Sequence, residues 1–264
     1  MITNIQRILG KNIGYILKIL RKPWFLFWRF VRIVLYEGKS YTLHVPFGHR
    51  VFTPWFDIKN NSEFSEVLKT VQKAGGSIVS ADRYYMLYQF ARMSVNRGGD
   101  FAECGVYRGG TAHLISLLIS KSGICKPFHL FDTFSGMPGT SIPSRDYHTP
   151  GDFSDTSLEA VKTRLNKFTL FCKFYPGFIP DTFSRIQDDQ QFSFVHIDVD
   201  IYQSVLDCCN WFWPRMSSGG VIVIDDYGFY PYRHAAKAAV DEFFSSEPEE
   251  PISLPTGQAF VIKL

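Results

Sequence analysis

The chain has 264 residues, of which 45% are hydrophobic, 16% aromatic and 20% charged, with a formal net charge of +3. That length suits one large α/β domain with an extension, and the apolar content excludes a disordered chain. Residues 1–36 hold seven Lys/Arg and no acid, so the rest carries 21 basic against 25 acidic residues, which argues against a general nucleic-acid binder.

Residues 1–36 read as a basic, amphipathic helical arm broken near Pro23. Ile2, Ile5, Leu9, Ile13, Ile16 and Leu20 recur at helical spacing, and Trp24, Phe25, Phe27 and Trp28 follow. Two readings stand: packing on the body or a second subunit, hence a homo-oligomer, and peripheral contact with a membrane interface. No stretch approaches the ~20 apolar residues that span a bilayer. Basic residues interrupt any signal-peptide pattern, and a cytoplasmic location is expected. Residues 38–61 read as an irregular cover, which divides the chain into an arm and cover over 1–61 and a folded body over 62–264.

Helices are predicted over 62–74 and 81–97, the second with Ser80 as a candidate cap. From Asp100 onward, short apolar runs alternate with helical stretches. Strands are expected at 100–104, 127–131, 170–175, 192–197 and 221–224, with a closing pair at 252–254 and 259–263. Helices are expected at 111–120, 156–166, 180–186, 202–216 and 234–244. This alternation predicts an α/β fold with a doubly wound, mostly parallel seven-stranded sheet and an antiparallel C-terminal edge hairpin. The five cysteines are odd in number and lack zinc-type spacing, so they read as reduced thiols.

Two apolar runs end in acids: Phe194–Ile197 before Asp198-Val199-Asp200, and Val221–Ile224 before Asp225-Asp226. Carboxylates gathered at one sheet edge repel one another unless something positive lies between them, and a divalent, oxygen-loving cation is the simplest candidate. On an extended strand His196, Asp198 and Asp200 share a face. Asp200 reads either as a further ligand or as a helix cap.

The first strand leads into Glu103-Cys104-Gly105-Val106-Tyr107-Arg108-Gly109-Gly110, a glycine turn without the dinucleotide G-x-G-x-x-G spacing. The second strand ends at Asp132, where a carboxylate can accept from ribose hydroxyls. Two acids and no phosphate-type turn favour a cationic nucleoside over NAD, and S-adenosylmethionine has a ribose, an amino group and a sulfonium. The loop 133–155 is a candidate lid, with Arg145, Asp152 and Asp155 as solvated charges. Tyr227, Phe229, Tyr230, Tyr232 and His234 either line a sugar pocket or pack on one another.

These motifs, with Phe131–Pro138, Gly177–Phe183, His196–Tyr202, Ile224–Gly228 and Ala239–Phe243 in order, resemble the macrocin O-methyltransferase family over roughly residues 80–264. The resemblance implies a class I methyltransferase domain that transfers a methyl group from S-adenosylmethionine to a metal-bound sugar hydroxyl of a glycosylated metabolite or glycan. It implies Glu103, Gly105 and Asp132 as donor-binding residues, joined by Tyr107, Gly109 and Thr133 from the same turns. Asp198, Asp225 and Asp226 would hold Mg²⁺. By strand position Asp198 reads as a base as well as a ligand, and His196 reads as a base, as a support for a ligand or as a hydrogen-bonded core residue. The alternatives are a nicotinamide-dependent oxidoreductase and a non-catalytic membrane-proximal scaffold.

Overall fold

The computed structural model describes residues 62–75, 79–139 and 145–264. The expected arm and cover over 1–61 lie outside the described residues. Two helices come first, α1 (Ser62–Ala74) and α2 (Ala81–Ser94). Ser80 takes the cap position of α2 through its backbone, its carbonyl accepting from Tyr84 N at 3.0 Å, while its side chain makes no cap bond.

Five parallel strands follow: β1 (Asp100–Cys104), β2 (Phe128–Asp132), β3 (Cys172–Pro176), β4 (Phe192–Ile197) and β5 (Met216–Ile224). The helices between and after them are α3 (Gly110–Ser122), α4 (Leu158–Arg164), α5 (Tyr202–Phe212) and α6 (Ala236–Phe244). The chain closes with β6 (Ile252–Ser253) and β7 (Ala259–Ile262). The sheet runs β3-β2-β1-β4-β5-β7-β6, with β7 antiparallel to both β5 and β6. The antiparallel strand thus sits one place inside the edge, and two-residue β6 forms the edge itself.

The central strands are near-continuous apolar runs because helices cover both faces. Alternation sorts their side chains. Phe101, Leu130, Phe194, Val221 and Val223 face the core under α1, α2 and α3, while Ala102, Cys104, Val195, Ile197, Ile222 and Ile224 face α5 and α6. Each large side chain buried this way contributes about 1.5–3 kcal/mol relative to exposure.

Five expected helices are shorter than predicted: 81–97 ends at Ser94, 156–166 is reduced to Leu158–Arg164, 234–244 begins at Ala236, and two further segments change character. The 180–186 segment is one 3₁₀ turn over Asp181–Arg185. The helix predicted to reach Met216 ends at Phe212, since Pro214 lacks the N–H that would continue it, and a 3₁₀ turn delivers Met216 directly into β5. All five cysteines are free; Cys125 is exposed and the others are buried. Among the described residues no helix is long and apolar enough to cross a membrane.

Candidate active site

The C-terminal ends of β1, β2, β4 and β5 open on one cavity, the place where an open α/β sheet presents its ligand site. Its walls include the turn Gly105–Tyr107, Asp132 and Thr133, Gly136–Pro138, Gly177–Ile179, and the acids Asp198, Asp200, Asp225 and Asp226.

Asp132 organises the donor-side half. Its Oδ2 accepts from the backbone N–H groups of Val106 at 2.6 Å and Tyr107 at 2.8 Å, and its Oδ1 accepts from Phe134 N at 2.6 Å. One carboxylate therefore ties the β1 turn to the β2 turn. Asp132→Ala should leave these amides without their acceptor and cost about 1–3 kcal/mol. Urea unfolding measures this, and an unchanged midpoint would refute the role.

The acids fall into two overlapping groups. Ligand atoms of Asp198, Asp200 and Asp226 lie within 4.8 Å of one another, and so do those of His196, Asp198 and Asp225. Burial, then the neighbouring Asp226, push the Asp198 carboxyl up to about 7. Burial also raises Asp200 well above the carboxylate range, helped by the charge of Asp226 and a hydrogen bond with it. The cluster is short of positive charge.

Part of that shortfall is met by a residue the sequence reading did not single out. Arg83 on α2 is ion-paired with Asp225, its Nε donating to Asp225 Oδ1 at 3.2 Å, and its outer nitrogen lies 3.4 Å from Asp226 Oδ1. Gln258 Nε2 donates to the same Asp225 oxygen at 2.8 Å. Beneath them, His196 Nδ1 is bonded to Glu103 Oε1 at 2.8 Å, and its Nε2 lies 3.7 Å from Asp225 Oδ1. Both side chains are fully buried, and His196 Nε2 and Glu103 Oε2 have no hydrogen-bond partner.

The donor set fits a hard divalent cation. Carboxylate oxygens of Asp198, Asp200 and Asp226 lie within 4.8 Å of one another at the cavity, and burial together with the Asp226 charge makes Asp198 and Asp200 hard to ionise, a cost that a cation would relieve. The expected triple of Asp198, Asp225 and Asp226 is split between the two groups. Asp225 leans towards Arg83, Gln258 and His196, while Asp200, read as a ligand or a cap, stands with Asp198 and Asp226 in a left-handed conformation at φ 59°.

Of the expected donor-binding residues, Gly105, Tyr107, Asp132 and Thr133 line the cavity. Glu103 does not, because β1 turns it under the sheet end towards His196. Gly109 does not either, since it starts α3 and packs on Val161. His196 is likewise absent from the cavity wall, so its position suits support of Asp225 rather than proton transfer to a substrate.

The expected lid is pinned where it is described. Asp146 Oδ1 accepts from Tyr202 N at the start of α5 at 2.8 Å. His148 Nε2 is bonded to Tyr232 OH at 2.8 Å and lies 3.8 Å from Asp200 Oδ1, with Asp152 on its Nδ1 at 3.1 Å. The three loop charges are engaged rather than merely solvated: Asp155 pairs with Arg108 and Tyr107, Asp152 holds His148, and Arg145 sits 4.1 Å from the Tyr202 ring centre. Of the aromatics after β5, Tyr232 reaches the cavity, whereas Tyr227 is bonded to Asp241 and Lys237.

Strand order and an acid-lined crevice at the strand ends define a class I methyltransferase fold. The structure of the O-methyltransferase NovP matches it with a TM-score of 0.63 and 24% identity, covering 71% of this chain and 82% of that one. That of CalS11, a calicheamicin methyltransferase, matches with a TM-score of 0.59 and 14% identity over 80% and 98% of the two chains. The chain belongs to the macrocin O-methyltransferase (TylF) family, whose profile matches residues 72–252.

Among curated relatives, the 8-demethyl-8-(2,3-dimethoxy-alpha-L-rhamnosyl)-tetracenomycin-C 4'-O-methyltransferase of Streptomyces olivaceus is 27% identical over 160 residues. The demethyldecarbamoylnovobiocin O-methyltransferase of Streptomyces niveus is 28% identical over 158 residues. The matches span 57% and 56% of this chain, and 61% and 59% of those relatives' own lengths.

Proposed function

We propose that the chain is an S-adenosylmethionine-dependent O-methyltransferase that acts on a sugar hydroxyl with Mg²⁺ at the acidic cluster. The acceptor is a glycosylated metabolite or glycan. The observation that carries this reading is the convergence of Asp198, Asp200 and Asp226 on the same cavity as the Gly105–Tyr107 turn and Asp132. Family membership and the sugar acceptors in the relatives' names support the substrate class.

In this reading Asp132 fixes the β1 turn against which the nucleoside lies and offers its carboxylate to the ribose edge. Asp198, Asp200 and Asp226 would hold the cation, which when bound lowers the pKa of a hydroxyl and fixes its direction. Asp198 faces the cavity and accepts the hydroxyl proton on a carboxylate oxygen. The sulfonium becomes a neutral thioether, so the protein's main task is alignment of oxygen and methyl. Tyr232 forms part of the wall that also holds Asp200, and His148 is bonded to the Tyr232 hydroxyl.

The test is incubation of purified protein with labelled S-adenosylmethionine, Mg²⁺ and a panel of sugar acceptors, read by mass spectrometry. Label in a sugar hydroxyl is expected, with the rate falling at least a hundredfold in EDTA and returning with Mg²⁺. Full-rate transfer in EDTA would remove the metal from the mechanism. Calorimetric binding of NAD in place of S-adenosylmethionine would favour an oxidoreductase.

A further inference from the structure

A cluster of four carboxylates holds one arginine. Among the described residues, Arg83 is the one lysine or arginine ion-paired with any of Asp198, Asp200, Asp225 and Asp226. We propose that Arg83 is an internal counter-ion, which neutralises Asp225 and Asp226 in the metal-free protein and competes with the divalent cation for the cluster. This inference rests on the reading that the cluster takes such a cation.

The contacts are placed for exchange. Asp225 keeps a hydrogen bond from Gln258 at 2.8 Å whether or not Arg83 stays, so release of the guanidinium does not strip that acid of partners. The bond to Asp226 is long, at 3.4 Å, and Asp226 also belongs to the group with Asp198 and Asp200. The guanidinium carbon lies 5.1 Å from the centre of the Phe229 ring, an apolar face that can hold a displaced cationic plane. Arg83 lines the cavity with a side chain 16% exposed, so it has a route away from the acids.

Arginine cannot escape a nearby dication by losing its proton. A guanidinium and a divalent ion that share the Asp226 carboxylate in a poorly screened site repel strongly. What the acids give to one, they withhold from the other, and the linkage is reciprocal: Arg83 weakens metal binding, and bound metal weakens the Arg83 pair. A fixed brace predicts the opposite sign, because removing it would scatter Asp225 and Asp226 and loosen the metal.

The experiment is calorimetric titration of the full chain with Mn²⁺, alongside S-adenosylhomocysteine binding as a folding control and thermal melts in EDTA and in Mn²⁺. Arg83→Met removes the charge but keeps the apolar stem. It is expected to bind Mn²⁺ roughly tenfold tighter or more. It should also melt lower than wild type in EDTA and gain more from Mn²⁺. Arg83→Lys, which keeps the charge, should stay within about threefold of wild type. If the Met variant does not fold in EDTA, Arg83→Gln is titrated in its place. Unchanged or weaker Mn²⁺ binding in the folded neutral variants, with wild type still binding, overturns the counter-ion role and leaves the metal reading intact. Absence of Mn²⁺ binding in wild type and variants alike overturns both.

Discussion

Asp198→Asn is expected to lower methyl transfer about a thousandfold or more while leaving the protein folded and able to bind S-adenosylhomocysteine. Asp198 is the one residue common to both groups of converging ligand atoms, Asp198/Asp200/Asp226 and His196/Asp198/Asp225. Asparagine keeps the shape and one acceptor oxygen but loses the charge, so cation affinity should fall together with the rate. Stability should move the other way. The Asp198 carboxyl is pushed up to about 7 by burial and Asp226, well above the usual carboxylate value. The folded state therefore binds more protons than the unfolded chain between that usual value and about 7, and metal-free protein loses stability as pH rises through that window. Asp198→Asn removes this share of the loss, and Mg²⁺ should flatten the wild-type curve by relieving the same repulsion. Melts from pH 4 to 8 with and without Mg²⁺ measure it. A variant with wild-type turnover would take Asp198 out of the site, and a wild-type curve that rises over the window would contradict the repulsion.

What the sequence made legible here was local. Phe192–Ile197 and Val221–Ile224 read as strands because a parallel strand covered on both faces is apolar throughout, and acids just past such a run fall at the ligand end of the sheet. Asp132 was legible for the same reason. Pairings across long stretches of chain were not. Arg83 lies 142 residues before Asp225, on a helix whose own pattern says only that one side is buried. The signal that pointed to it was the charge imbalance, which demanded a cation without saying that the protein supplies one itself. Glu103 and His196 read as cavity groups because each stands near a strand end. Yet they are register partners on adjacent strands, and their 2.8 Å bond turns both into the layer below. Strand position alone does not distinguish a residue that reaches past the edge from one that stops a layer short. His148 carried no local signal, as a histidine in a loop of mixed polar residues acquires meaning only when the loop folds back on Tyr232 and Asp200.

Gly105→Ala should cost more stability than any single acid in the cavity, at more than about 4 kcal/mol, and should abolish donor binding as a consequence. A glycine beside a ligand turn invites the explanation that the ligand's approach requires it, but the geometry gives a different reason. Gly105 has φ +86°, and a Cβ there would lie 1.8 Å from the backbone oxygen of Asp198. The chain crosses itself at this point: Gly105 N donates to Phe131 O at 2.9 Å, and Asp198 N donates to Cys104 O at 2.8 Å. These bonds bring the β1, β2 and β4 exits together, so a methyl group cannot be relieved by turning a side chain. It must push Asp198 itself, the centre of the acidic cluster. Gly123, at the end of α3, provides the control: its φ is similar, at +72°, but nothing lies within 4 Å of its Cβ position. Gly123→Ala should therefore cost only about 1–2 kcal/mol, the strain of the left-handed conformation alone. Urea unfolding of the two variants side by side separates conformational strain from backbone crossing. Equal destabilisation would show that the crossing can relax and that Gly105 serves the ligand after all.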